Sequence, residues 1–206
     1  MSSRPLVLGV TGNISSGKST VAKALEQHGA VVVDADQLAR DVVEAGTKTL
    51  ERLVGAFGEE ILQSDGSLNR ERLGQMVFAD TKVRATLNQI VHPEIARKSI
   101  EVLQRLRERD DIPLVVYEAP LLFEVGAETR VDKVLVVKID SKEQLKRLMS
   151  RDHLGEVEAK QRIAAQMSQD KKLARADYVI DNSGTISDVL LQVEKLWPKL
   201  VGKNGV

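Results

Sequence analysis

Between Gly12 and Ser19 the chain reads Gly-Asn-Ile-Ser-Ser-Gly-Lys-Ser, which satisfies the pattern G-x-x-x-x-G-K-[ST] at every fixed position. Each fixed position has a mechanical task. Gly12 and Gly17 let the backbone turn sharply enough for successive N–H groups to surround a phosphate chain. Lys18 adds an ammonium that reaches the β- and γ-phosphates, and the Ser19 hydroxyl suits Mg²⁺. Ser15, Ser16 and Thr20 complete the loop residues expected to hold the nucleotide. A helix that starts at this loop points its positive end at the same anions.

The flanking segments come in the order such a loop requires. Leu6-Val7-Leu8-Gly9-Val10 is an apolar run suited to a strand buried on both faces. Thr20 to His28 carries Val21, Ala22, Ala24 and Leu25 at helical spacing, and Gly29 follows as a stop. Four more strands are predicted: Val31–Val33, Leu114–Tyr117, Lys133–Ile139 and Tyr178–Ile180. Each is closed by a carboxylate, at Asp34, Glu118, Asp140 and Asp181. Helical patterns separate them, so the fold class is α/β with a five-stranded parallel sheet. Ligands gather beyond the C-terminal ends of such strands, which would put Asp34, Asp36, Glu118 and the loop on one rim.

About eighty residues without a strand pattern lie between the second and third strands, far more than a crossover needs. They read as helices: Lys48 to Phe57 ended by Gly58, Arg70 to Phe78, Lys82 to Val91, and Pro93 to Arg109 opened by its proline. This insertion, about 46–111, is expected to cap the rim and hold a second substrate. The core is then 1–45, 112–141 and 176–201. A second insertion, about 142–175, has a basic helix over Lys142–Arg151, a break at His153-Leu154-Gly155, and a helix from Glu156 to Arg175. Most of its charge, including Lys171, Lys172 and Arg175, reads as a solvated face. Arg151, Arg147 and Arg162 are the candidates for a functional lid, because a basic lid neutralises a γ-phosphate and excludes water. Phe57, Phe78 and Trp197 read as packing residues.

Composition narrows the function classes. The 206 residues carry 42% hydrophobic content and thirty basic against thirty acidic side chains. That balance gives no support to nucleic-acid binding, which usually brings a basic excess. There is no cysteine, so disulfides and thiolate metal sites are absent. No apolar stretch approaches the roughly 20 residues needed to cross a bilayer, and Met1-Ser2-Ser3-Arg4-Pro5 leads into the first strand without signal-peptide character. The expectation is a cytoplasmic protein with a loose tail at Gly202–Val206.

Several stretches beyond the loop resemble the dephospho-coenzyme A kinase family of P-loop small-molecule kinases. Val10 to Thr20 resembles its nucleotide loop, and Asp34-Ala35-Asp36 with Ala39-Arg40-Asp41-Val42-Val43 the segment after its second strand. Phe57-Gly58, Ile61-Leu62, Asp65-Gly66, Leu87-Asn88 and His92-Pro93 follow at matching spacing. Pro120-Leu121-Leu122-Phe123-Glu124 resembles its most distinctive pentapeptide, and Arg162-Ile163, Gln166 and Ala176 to Gly184 complete the likeness. It covers about Leu6 to Leu200. The chain departs where the family commonly has glycine, at Asn13 and Ser15; asparagine tolerates left-handed backbone angles, and the serine adds a phosphate donor.

The resemblance implies a P-loop NTPase fold and transfer of phosphate from ATP, with Mg²⁺, to the ribose 3′-hydroxyl of dephospho-coenzyme A. Such a hydroxyl is a poor nucleophile until a carboxylate orients it and takes its proton. Asp36 matches the family's presumed base; its other reading is an N-cap for a helix near Gln37. Asp34 or Glu118 could join the metal shell with Ser19. The catalytic set is then Asp36, Lys18 and Arg151. Arg147, Asn182 and Gly184 join the loop on the nucleotide side. Thr11, Asp36, His92, Pro120, Leu121 and Leu122 form the acceptor side, although Leu121, Leu122 and Phe123 suit a core equally well. The expected assembly is a monomer or weak homo-oligomer. Kinases acting on a nucleoside monophosphate, nucleoside or sugar share the fold, and a regulatory NTPase shares the loop.

Overall fold

The computed structural model describes residues 4–202, so the Met1–Ser3 segment and the tail beyond Gly202 lie outside the described residues. Five strands alternate with helices in chain order: β1 (Leu6–Thr11), α1 (Lys18–Gln27), β2 (Val31–Asp34), α2 (Ala35–Asp41), α3 (Lys48–Phe57), α4 (Arg70–Ala79) and α5 (Thr81–Arg107). They continue with β3 (Leu114–Glu118), β4 (Lys133–Lys138), α6 (Ser141–Asp152), α7 (Glu156–Ala164), α8 (Gln169–Leu173), β5 (Tyr178–Asp181) and α9 (Ile186–Val201). The sheet order is β2-β3-β1-β4-β5, and every pairing is parallel. All five C-terminal ends therefore share one edge, where the carboxylates at Asp34, Glu118 and Asp181 lie.

Two compact units divide the chain. The first is built from the chain up to Asp34 and from Leu103 onward; the second is Ala35–Val102. In the first unit, alternation along each strand sends side chains to opposite sheet faces. Leu8, Val10, Leu114, Val116, Leu135, Val137 and Ile180 meet Val21 and Leu25 of α1 and Val189 and Val193 of α9 in one buried cluster. Val7, Val115 and Tyr117 are buried as well, so β1 and β3 are covered on both faces. Trp197 packs against this cluster and stacks on His28 at 5.2 Å between ring centroids.

Leu50, Leu53, Ile61, Leu73 and Ile90 form the core of the second unit. It begins and ends earlier than the 46–111 expected from pattern, because Val42 and Val43 pack into the same core. Three expectations for its helices need correction. Pro93 does not open a helix; it lies inside the 27-residue α5. A proline there forfeits one backbone bond and costs roughly 3 kcal/mol. The helix continues because Leu87, Val91 and Ile95 pack into one core on both sides of Pro93, while Gln89, whose carbonyl loses its donor, is exposed to water. Phe78 is not a packing residue: it is 96% exposed at the end of α4. Asp36 is not an N-cap, since α2 already starts at Ala35.

The lid segment also differs from its pattern. His153, with φ 54°, ends α6 in the left-handed region. The expected continuous helix from Glu156 to Arg175 is broken into α7 and α8 at 165–168. There Gln166 and Met167 spend their polar groups elsewhere, as described below. Lys172 of α8, read as part of a solvated face, has no exposed surface.

Asp177 ties β5 to β4 by accepting from the Val134 N–H and the Lys133 ammonium, each at 2.8 Å. Burial pushes its carboxyl up, but the Lys133 ammonium and the Val134 amide outweigh that and hold it below its ordinary 3.8. A carboxyl lowered on folding stabilises above its ordinary value and loses that contribution as pH falls through the folded one. Thermal melts should therefore show Asp177→Asn about 2 °C less stable than the parent at pH 7, discounting for partial exposure, with the gap closing as pH falls below the carboxyl's ordinary 3.8. A gap that persists unchanged at pH 2 contradicts this role.

Candidate functional site

The turn from β1 into α1 takes its shape from two glycines that have no room for a side chain. Gly17 has φ 85°, and a Cβ there would lie 1.9 Å from Asn182 Nδ2. A Cβ on Gly12 would come within 2.5 Å of the Val137 carbonyl oxygen and 2.6 Å of Ser16 Oγ. Asn182 is buried and donates to the Ser16 carbonyl at 2.7 Å. It thus braces the loop from below, where the sequence placed it on the nucleotide side. Ser15 holds the left-handed φ of 60°, the angle anticipated for Asn13; Asn13 is instead a buried anchor.

The loop tip is strapped to the lid base. Ile14 N–H donates to Gln166 Oε1 at 2.7 Å, and the Ile14 carbonyl accepts from Gln144 Nε2 at 2.9 Å. Asn13 Nδ2 donates to the Met167 carbonyl at 3.0 Å. Gln166 and Met167 sit in the gap between α7 and α8, which explains that break. Sequence reading missed Gln144 as a functional residue and met Gln166 only within the family likeness. Neither type marks a site by itself; only the fold brings them to Ile14.

Inside the loop, the hydroxyls of Ser15 and Ser16 are buried and lack a hydrogen-bond partner among the described residues. Buried polar groups are almost always satisfied, so donors left open in an amide-lined turn point to an anion that completes them. The Lys18 ammonium folds back toward the Gly12 and Asn13 carbonyls at 3.1 and 3.4 Å. Ser19 Oγ donates to Glu118 Oε1 at 2.8 Å, which sets a hydroxyl and a carboxylate at the start of α1. These are the oxygen donors Mg²⁺ takes. Among the described residues no cluster of three or more acidic or histidine side chains could hold a metal unaided.

A cavity of about 470 Å³ opens over the loop, lined by Ser15, Gly17, Lys18, Ser19, Thr20, Arg147, Arg151, Asn182, Gly184 and Ile186. Most of the nucleotide-side residues picked from sequence thus meet in one place; Gly12 and Ser16 are buried beneath it. Gly184 leads into the capping box formed by Thr185 and Asp188 at the start of α9. Arg147 pairs with Glu143 at 2.8 Å and Arg151 with Asp152 at 2.7 Å. The Asp152 hydrogen bond pushes the Arg151 guanidinium above its ordinary value, and Arg151 in turn holds the Asp152 carboxyl below its own.

On the other side of β1, Thr11 Oγ1 donates to the Pro120 carbonyl at 3.3 Å. Leu122 has no exposed surface, and a Cβ on Gly9 would meet it at 3.0 Å. Phe123 is buried under the Arg175 guanidinium, 4.2 Å from the ring centroid. Of the acceptor-side residues here, Leu121 is the one that offers substantial surface, at 42%. Thr11 and Leu122 hold the segment from within. Asp36 and His92 belong to the second unit, both exposed, Asp36 on the first turn of α2 and His92 within α5. No helix among the described residues is long and apolar enough to cross a membrane.

Comparison with known proteins adds independent findings. Residues 6–188 match the family model described as dephospho-CoA kinase. The dephospho-CoA kinase of Geobacter sulfurreducens is 48% identical over 193 residues, covering 94% of this chain and 98% of that protein. Among solved structures, a Thermus thermophilus protein superposes with a TM-score of 0.78 at 38% identity, covering 97% of this chain and all of the other. The dephospho-CoA kinase of Campylobacter jejuni does so with a TM-score of 0.76 at 30% identity, covering 97% and 98%.

Gly17→Ala adds a methyl group to a left-handed residue, which strains the backbone by roughly 1–2 kcal/mol, and it displaces Asn182. Calorimetric titration should show ATP affinity reduced at least about tenfold while the circular dichroism spectrum is retained. ATP binding at parental strength would mean that the loop shape is not what grips the nucleotide.

Proposed function

The chain belongs to the dephospho-CoA kinase family, and from that membership we infer that it transfers the γ-phosphoryl group of ATP to the ribose 3′-hydroxyl of dephospho-CoA. The products are CoA and ADP, in the last step of CoA biosynthesis. The observation that carries this reading at the level of residues is the phosphate loop with its two buried, unpartnered hydroxyls.

Main-chain amides from 12–19 and the positive end of α1 hold the triphosphate, with Ser15, Ser16 and Thr20 as added donors. Lys18 leaves its carbonyl partners to bridge the β- and γ-phosphates. Ser19, with Glu118 beside it, is placed to hold Mg²⁺, which when bound neutralises charge on the phosphate oxygens. Arg147 and Arg151 exchange Glu143 and Asp152 for phosphate oxygens, and Arg151 follows the charge that develops on the moving group. The charge balance favours this exchange, since a triphosphate carries more negative charge than either carboxylate.

Asp36 follows the C-terminal end of β2 by two residues in the chain, which supports reading it as an acceptor-side carboxylate. We assign it as the base. Its carboxylate takes the ribose 3′-hydroxyl proton as the new O–P bond forms and the bond to ADP breaks. Pro120 and Leu121 contribute to the acceptor side, with Thr11 and Leu122 fixing that segment, and His92 is assigned to the same substrate. Asn182 and Gly184 serve the nucleotide side, Asn182 through the loop it braces. The same reading takes the protein as a cytoplasmic monomer or weak homo-oligomer whose partners are its two small-molecule substrates.

A panel of acceptors tests this directly, with ADP release as the readout. Dephospho-CoA should turn over, and nucleoside monophosphates, nucleosides and sugars should not; the reverse pattern would replace this function with that of another kinase on the same fold. Lys18→Ala should lower kcat roughly a hundredfold or more. Asp36→Asn keeps the shape and removes the base, so kcat should fall about 10²- to 10⁴-fold. Near-parental turnover by Asp36→Asn would move the base elsewhere.

A further inference from the structure

Lys172 is the one lysine among the described residues with no exposed surface. Its ammonium donates to the Pro120 carbonyl at 2.9 Å and pairs with Glu124 Oε1, also at 2.9 Å. Both partners belong to the pentapeptide that runs out of β3. The same two partners also reach the phosphate loop. The Pro120 carbonyl accepts from Thr11, the residue before Gly12. Glu124 Oε1 accepts from the Met167 N–H at 3.1 Å, and the Met167 carbonyl accepts from Asn13 at the loop tip.

One buried cation therefore stands where two hydrogen-bonded paths meet, from the start of the loop and from its tip. Lysine is almost never fully buried unless paired. Replacing a buried ion pair by apolar side chains is often neutral or stabilising, so fold stability alone does not call for this arrangement. What the pair adds is direction: it fixes a carbonyl and a carboxylate at set distances from one point. In phosphoryl transfer most of the catalysis is positioning, and about 1 Å of misplacement can cost a hundredfold.

We propose that Lys172 is a positioning residue for phosphoryl transfer, holding the Pro120–Glu124 segment in register with the phosphate loop. The proposal rests on the reading of that segment as part of the acceptor side. Lys172 touches neither substrate; it acts through Pro120 and Glu124.

Steady-state kinetics with ATP and dephospho-CoA test it on Lys172→Met and on the double variant Lys172→Met/Glu124→Met. The single variant leaves Glu124 without its cation and is the one at risk of failing to fold. The double removes both charges and keeps the volume, so it should fold with a Tm close to the parent's. Expected in each folded variant is a kcat reduced about 10- to 100-fold per ATP-binding molecule, with KM for ATP within about threefold of the parent. A residue serving stability alone would give the double variant parental kcat, and a folded double within twofold of the parent overturns the proposal. An unfolded double, showing that the pair is required for folding, overturns it as well. A parent protein that fails to phosphorylate dephospho-CoA refutes the function itself, which separates the two failures.

Discussion

Everything the site can do depends on the absence of a side chain at Gly17. The backbone there is left-handed, and Asn182 occupies the space a methyl group would need. That contact joins the loop to the end of β5, the edge strand, through the bond from Asn182 to the Ser16 carbonyl. Gly12 is closed in similarly by the Val137 carbonyl of β4. The loop is thus held in shape by contacts with the neighbouring strands. Preorganisation of this kind lets donors stabilise charge without the cost of reorienting them.

The lid is part of the same construction. Gln144 from α6 and Gln166 from the gap after α7 hold both polar groups of the Ile14 peptide, and Met167 receives Asn13. A continuous helix over 156–175 would have used the Met167 carbonyl internally and taken that partner from Asn13. The break in the helix is where the lid and the loop meet. The arginines farther out along α6 are paired with Glu143 and Asp152, close enough to the cavity to line it. In the proposed function, these pairs are exchanged for contacts with the triphosphate.

The architecture was readable because its signals are local. Runs of β-branched residues followed by a carboxylate mark four of the five strands, and an apolar run leading into G-x-x-x-x-G-K-[ST] marks the first strand and the loop. The helical insertion announced itself by length. Long-range contacts were not readable. Family likeness places Asn182 on the nucleotide side, and it lines the cavity over the loop; only the fold shows that it also fills the space beside Gly17 and braces the Ser16 carbonyl. Lys172 adjoins Lys171 in a basic stretch, and nothing in the sequence says that one is exposed and the other buried. Pro93 read as a helix start because propensity is local, whereas the packing of Leu87, Val91 and Ile95 that carries α5 through it is not. Phe78 shows the converse error, an aromatic assigned to a core that the end of α4 turns out to water.

The most direct test of the central claim is a crystal structure with a non-hydrolysable ATP analogue, Mg²⁺ and dephospho-CoA bound together. The account predicts the β- and γ-phosphates enclosed by the amides of 12–19, Lys18 drawn off the Gly12 carbonyl onto them, and the ribose 3′-hydroxyl against Asp36 and in line with the γ-phosphorus. A triphosphate seated outside the loop, or a 3′-hydroxyl remote from Asp36, would contradict it.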